Sequence, residues 1–227
     1  MSSKKGFVYD LSDPNFESKL MSVNPKWYYT WGLNGSSLNL PFVPMAWGKG
    51  SLPHSKTPII LGFNEPDGTS QSNLTVSQAL SMWPQVTNYG DRIGSPATAG
   101  NPTSTGSWLE QFMNALPKVD FICVHWYAPP NVTSFLKEID SIYEKYGKPI
   151  WITEFAVADW AGKFPGGYNQ SLVEEFMKDA CAGLDARSYV ERYSWKTRTT
   201  KDIHMGTSAL FNDDGSLTSL GQLYAST

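Results

Sequence analysis

The sequence predicts a parallel α/β fold that closes as an eight-stranded (β/α)8 barrel, the TIM barrel, and three observations carry the prediction. Eight short apolar or aromatic runs punctuate the 227 residues, at 6–10, 27–31, 42–47, 59–64, 92–96, 121–127, 150–154 and 191–195. Several are near-continuous, as strands buried on both faces should be. Helical segments alternate with many of them, which is the order that produces parallel strands. No repeat, low-complexity tract or linker divides the chain, so residues 1–227 are expected to form a single domain.

The helices follow from spacing and caps. Asp13-Pro14 has the form of an N-cap and first-turn proline for a short helix ending at Ser22. Between Thr75 and Tyr89, Val76, Leu80, Trp83 and Val86 recur at helical spacing, with Pro84 expected to bend the helix. Residues 107–116 are amphipathic, and Trp108 lies in their apolar stripe. Thr133 is expected to cap a helix over 134–146 that Gly147 stops, Ser171 one over 172–184, and Thr218 a last one over 219–225. The connections after Trp31 and Trp47 are only about ten residues, the lower limit for a parallel crossover. Helices there can be a turn or two, so the first half of the barrel is expected to be thin-walled. An open doubly wound sheet is the alternative, but no GxGxxG loop supports it.

Composition narrows the ligand. Net charge is −3 and charged residues are 17% of the chain, with no long basic run, which argues against nucleic acid. Aromatics are 14%, including nine Trp, and suit a neutral hydroxyl-rich ligand whose apolar faces pack on rings. No apolar run is long enough to cross a membrane, and residues 1–6 show no signal peptide. Four sequons, at Asn34, Asn73, Asn131 and Asn169, nevertheless favour secretion. Three His and no CxxC or HExxH spacing leave no metal motif, and no cofactor is expected. Cys123 and Cys181 are read as buried free thiols, with a disulfide open until their separation is known. No G-x-S-x-G elbow is present.

Two runs end on a glutamate. Glu65 follows 59–64, the fourth strand, and Glu154 closes 150–154, the seventh. Active sites of this fold lie at the C-terminal rim, so both carboxylates are expected in one cleft. There they can approach to the roughly 5–5.5 Å used by retaining glycosidases. Asn64 beside Glu65 can bond a sugar hydroxyl while staying neutral. Trp31 and Trp47 end strands two and three at the same rim and are candidate sugar platforms. Trp160, in the glycine-containing loop 156–167, is a candidate cleft wall, whereas Trp27 opens a strand at the opposite rim. Asp10 ends the first strand at the active rim, where it could orient a ligand or satisfy turn amides.

Five motifs resemble a known family: Leu61-Gly62-Phe63-Asn64-Glu65-Pro66-Asp67, Val124-His125-Trp126-Tyr127, Trp151-Ile152-Thr153-Glu154-Phe155-Ala156, Glu191-Arg192-Tyr193-Ser194-Trp195 and Phe42-Val43-Pro44-Met45-Ala46-Trp47-Gly48. They are similar to glycoside hydrolase family 128, clan A β-1,3-glucanases that are often fungal and related to alkali-sensitive-linkage cell-wall proteins. The resemblance runs from about Gly6 to Tyr224. It implies a (β/α)8 fold, retaining hydrolysis of β-1,3-glucan, no cofactor, a cell-wall or secreted location and a monomer. It implies Glu65 as acid/base, Glu154 as nucleophile and Asn64 on the sugar 2-hydroxyl. It also implies His125, Trp126 and Tyr127 along the cleft and Trp195 as its floor. Where the family often continues from that tryptophan with an aromatic residue, this chain has Lys196-Thr197-Arg198-Thr199-Thr200. Two other readings stay open: a lectin-like protein of the same fold that binds β-1,3-oligosaccharide, and a clan A glycanase acting on β-1,4 chains.

Overall fold

The computed structural model describes residues 2–227. Its strands are β1 (Lys5–Val8), β2 (Trp27–Tyr29), β3 (Thr57–Ile60), β4 (Gly90–Ile93), β5 (Ile122–Ala128), β6 (Ile150–Val157) and β7 (Val190–Lys196). The expected third strand, 42–47, is reduced to single bridges at Phe42 and Met45. With it the parallel pairing runs around a ring. β2 meets that run through Tyr28 and Phe42, and the run meets the end of β3 through Met45 and Leu61. β3 pairs with β4, Gly94 after β4 pairs with Phe121 before β5, and β5, β6, β7, β1 and β2 follow as neighbours. The eight expected staves are therefore present as a barrel.

Helices α1 (Phe16–Ser22), α2 (Val76–Tyr89), α3 (Trp108–Asn114), α4 (Val132–Tyr146), α5 (Gln170–Asp185) and α6 (Ser219–Ser226) pack outside it. Among the described residues none lies between β2 and β3, which is the thin wall that the short connections required. Thr75 caps α2 in a reciprocal capping box with Gln78, and the helix runs on through Pro84. Three caps differ from expectation. Asn131, not Thr133, caps α4, and Asn169, not Ser171, caps α5, since an Asx oxygen placed before the first turn reaches its amides. The Asp13 carboxylate accepts from the Asn15 amide and pairs with Lys19 at 2.8 Å, so α1 begins two residues later than Pro14 suggested. Gly147 ends α4 in the left-handed conformation, φ 61°.

Strand alternation sorts the core into two parts. Ile122, Val124, Trp126, Tyr193 and Trp195 face outward against the helices. Val8, Trp27, Tyr29, Met45, Leu61, Phe121, Cys123 and Trp151 fill the barrel interior. Its lower end is sealed by Trp151, stacked on Phe121 at 4.2 Å and covered by the Arg192 guanidinium at 4.2 Å. The Trp151 indole donates to Glu191, which also pairs with Arg92 at 2.9 Å. Gly6 leaves room there, because a Cβ on it would lie 2.2 Å from the Trp27 ring. Cys123 and Cys181 are both buried and free.

Two stability predictions follow from this packing. Trp151→Ala empties the lower barrel and is expected to cost about 3–5 kcal/mol in urea unfolding. Leu116 is 89% exposed and sits at φ 54° directly after the end of α3. Leu116→Gly removes left-handed strain and an exposed apolar side chain, and is expected to raise the melting temperature, with a gain of up to about 1 kcal/mol.

Candidate active site

The C-terminal ends of the staves open into a cleft of about 550 Å³. Trp31, Trp47, Asn64, Glu65, Gln71, Ala99, Tyr127, Glu154, Trp160, Lys196 and Arg198 line it.

Glu154 faces the cleft because β6 carries a bulge. Trp151 points inward and Ile152 outward, so strict alternation would turn Glu154 outward. The register slips by one at this point: Val124 pairs with Ile152, but His125 pairs with Glu154. Thr153 is the extra residue, and it re-aims Glu154 inward and Phe155 outward. The carboxylate is 4% exposed and ringed by donors. The Trp31 indole donates to Oε1 at 2.6 Å, the Tyr29 hydroxyl lies 3.1 Å from the same oxygen, and the Tyr127 hydroxyl donates to Oε2. Burial alone would push this carboxyl up. His125 and Lys196, with the bonds from Tyr127 and Trp31, outweigh burial and hold it below the ordinary carboxylate value.

Glu65 stands on a strained backbone, at φ 39°. The turn after it is tied down. The Glu65 amide donates to Ala97 at 2.7 Å, and the Asp67 carboxylate accepts from the amides of Ala99 and Gly100 at 2.9 and 2.8 Å. Next to it, the Asn64 side-chain amide donates to Gln71 at 3.1 Å, while its Oδ1 is buried without a partner among the described residues. Trp31 is held in a similar left-handed conformation, φ 55°.

His125 lies between the two carboxylates. Its Nδ1 is 2.8 Å from Glu65 Oε1, and its Nε2 faces Glu154 Oε1 at 3.5 Å. Burial lowers the imidazolium pKa, but the charges of Glu154 and Glu65 overcome this, so the proton is held above the ordinary value. One oxygen of each glutamate and a ring nitrogen lie within 4.8 Å of one another. These are metal-capable groups. However, each ring nitrogen addresses a different carboxylate, which is the geometry of a proton-sharing relay and not of three ligands converging on one ion.

Seven expected site residues thus meet at the cleft: Trp31, Trp47, Asn64, Glu65, Tyr127, Glu154 and Trp160. His125 sits immediately behind the two carboxylates. Trp160 is 54% exposed and meets Tyr127 edge-on at 6.1 Å. Trp126 and Trp195 are corrections, because alternation turns both outward. Trp126 stacks on Phe176 at 5.3 Å and donates to Glu138, while Trp195 packs on Phe155 and donates to the Ser208 carbonyl. Neither touches the cleft. Trp31 also differs from a bare platform, since its N–H is bonded to Glu154 and the Lys196 Nζ lies 3.7 Å from its ring centroid. Tyr29, Gln71, Lys196 and Arg198 were not among the expected site residues. The alternation Trp27, Tyr29, Trp31 would have pointed to Tyr29.

Known proteins resemble this chain over nearly its whole length. The family described as "Glycosyl hydrolase catalytic core" matches residues 6–224. Alkali-sensitive linkage protein 1 of Schizosaccharomyces pombe is 30% identical over 243 residues, covering all of this chain, which spans 45% of that relative's length. An endo-β-1,3-glucanase of glycoside hydrolase family 128, subgroup I, from Amycolatopsis mediterranei, solved with laminarihexaose, superposes with a TM-score of 0.87 at 30% identity, covering 100% of both chains. A subgroup VII oligosaccharide-binding protein from Trichoderma gamsii gives 0.82 at 25% identity, covering 98% of this chain and 92% of that one. The chain belongs to the glycosyl hydrolase catalytic core family, as a member of glycoside hydrolase family 128.

Proposed function

We propose that residues 1–227 form a single catalytic domain that hydrolyses β-1,3-glucan with retention of configuration. The observation that carries this reading is the pair of glutamates with oxygens within 4.8 Å, one of them ringed by donors that favour its ionised form. A separation this short suits direct attack, whereas an inverting site needs a wider gap for water. The Amycolatopsis relative was crystallised with laminari-oligosaccharides in variants lacking one or other of two glutamates, which supports the same substrate class here.

In this mechanism the Glu154 carboxylate attacks the anomeric carbon of the sugar beside it. The glycosidic C–O bond breaks, and the departing oxygen takes its proton from Glu65. Water then enters, Glu65 accepts a proton from it, and the resulting oxygen displaces Glu154 from the anomeric carbon. His125 joins the two steps, because the proton that Glu65 donates and regains can be shared across the 2.8 Å contact to Nδ1. The unpartnered Asn64 Oδ1 accepts from a hydroxyl of the reacting sugar, and Trp47 and Trp160 wall the chain. The protein acts as a monomer outside the cell, with glycan walls as its natural partner. All four sequon asparagines are exposed, which supports that location.

Binding without turnover is the competing reading, because the Trichoderma relative is an oligosaccharide-binding protein. Both carboxylates and the donors around Glu154 favour the enzyme. Glu65→Gln is expected to lower kcat on laminarin by about 10²–10⁴-fold, and Glu154→Gln to remove most turnover, with laminarihexaose binding retained in both. Azide should restore turnover of Glu65→Ala and yield a β-glycosyl azide. Near-wild-type turnover in either Gln variant sinks the assignment, and an initial α-anomer product seen by NMR sinks retention.

The pH profile offers a separate check. Glu154 must be ionised to attack, and its bonds lower its pKa. Tyr127→Phe removes one charge-assisted bond, so the acid limb of kcat/KM is expected to move to higher pH by about one unit. An unmoved limb shows that the Tyr127 hydroxyl does not stabilise the carboxylate.

A further inference from the structure

Lys196, the last residue of β7, takes the inward side that Trp195 leaves. Its Nζ lies 3.7 Å from the Trp31 ring centroid, and that indole donates to Glu154. An ammonium has three N–H donors. None of those on Lys196 has a hydrogen-bond acceptor or ion-pair partner among the described residues, although the side chain lines the cleft. Burial lowers its pKa to about 8; Glu154, Asp10 and Glu65 pull it up, while Arg198 adds to the lowering.

Two cavities meet at this side chain. The cleft and a groove of about 800 Å³ share Trp31, Lys196 and Arg198 as walls. The groove continues past Tyr9, Asp10, Thr199 and Asn212. Its other lysines are engaged: Lys19 pairs with Asp13 at 2.8 Å and Lys201 with Asp213 at 2.6 Å. Arg198 lies 3.6 Å from Asp202. Lys196 is therefore the cation at the junction with neither an ion-pair partner nor an acceptor among the described residues. The groove opens beside Trp31 and Lys196, and neither glutamate lines it. A chain leaving the cleft by this route passes over the Lys196 ammonium.

We propose that Lys196 is a substrate-binding residue, which donates to hydroxyl oxygens of a neutral glucan where the chain passes from the cleft into the groove. This rests on the glucan reading above. The ligand is the neutral glucan, because Glu154, Asp10 and Glu65 face the same ammonium and offset its charge, so Lys196 gives an acidic sugar no net attraction. With Lys196 over its ring, Trp31 serves as the support of a hydrogen-bonding cation in addition to being a surface for stacking.

The test measures laminarihexaose binding by calorimetry in a Glu65→Gln background, which keeps the Glu154 charge that Lys196 faces. Adding Lys196→Met, whose stem can still lie on Trp31, is expected to weaken binding at pH 6.5 by about tenfold or more. Lys196→Arg should keep most of the affinity. Between pH 6.5 and 9.5 the Glu65→Gln protein should lose affinity as Lys196 gives up its proton, and the Lys196→Arg combination should not. His125 is common to all three proteins, so the difference between them isolates Lys196. Equal affinity of the Lys196→Met combination and its parent at both pH values overturns the proposal. Should the Met variant fail to fold, a parent and an Arg variant with the same pH dependence overturn it too. If Glu65→Gln alone fails to bind laminarihexaose, the glucan reading falls, and this proposal with it.

Discussion

The structure turns on holding one carboxylate ionised where water scarcely reaches it. Removing a lone carboxylate from water is prohibitive unless donors and positive charge replace its hydration. At Glu154 the replacement comes from three staves. Trp31 and Tyr29 arrive from β2 and the segment after it, Tyr127 and His125 from β5, and Lys196 from β7. Only a closed arrangement of parallel strands brings side chains from non-adjacent staves to one point. The barrel thus supplies an environment that no single motif could provide. This is also why the aromatic residues do more than present flat surfaces: Trp31 and Tyr127 use their polar edges on the Glu154 carboxylate.

Such a site carries local strain, and the lower half of the barrel offsets it. Glu65 and Trp31 are both in the left-handed region, and β6 departs from its regular register beside Glu154. At the other end of the same staves the side chains are densely packed. Trp151, Phe121 and Arg192 stack there, and Glu191 ties Trp151 to Arg92. The division places adjustable geometry at the rim and cohesion at the base, which is the usual separation of function from stability in this fold.

The barrel and its two glutamates were legible in the sequence because each rests on local pattern. An apolar run ending in a carboxylate, repeated at the fourth and seventh staves, needs only strand counting. The thin wall after β2 followed from connection length alone. Side-chain direction was less accessible. Trp126 and Trp195 stand next to site residues in sequence, yet alternation points them at α4 and α5, and only pairing partners reveal which neighbour faces inward. The bulge at Thr153 is harder still, because a one-residue register slip leaves no compositional trace. The caps of α4 and α5 were misplaced by a smaller margin, since each of those sequons offers both an Asn and a hydroxyl residue, and either can close a first turn.

The fold's association with both glucanases and an oligosaccharide-binding protein has a physical basis in this cleft. Recognition of a neutral glucan needs ring faces and hydrogen-bonding groups distributed along the chain, and on the proposed reading Trp47, Asn64, Trp160 and the rim cations, which line the cleft, would supply them. Chemistry needs one additional thing, a nucleophile and a proton carrier whose protonation states differ. The surroundings of the two glutamates differ: Glu154 is ringed by donors and positive charge, whereas Glu65 has one short side-chain contact among the described residues, to His125, and borders the cleft. On the proposed reading, altering a few groups around Glu154 would abolish turnover and leave the binding surface in place. Trp31 and Lys196 belong to both sets, since the indole donates to Glu154, the ammonium lies over that indole, and both border the groove. At these two positions a substitution is expected to change binding and reactivity together.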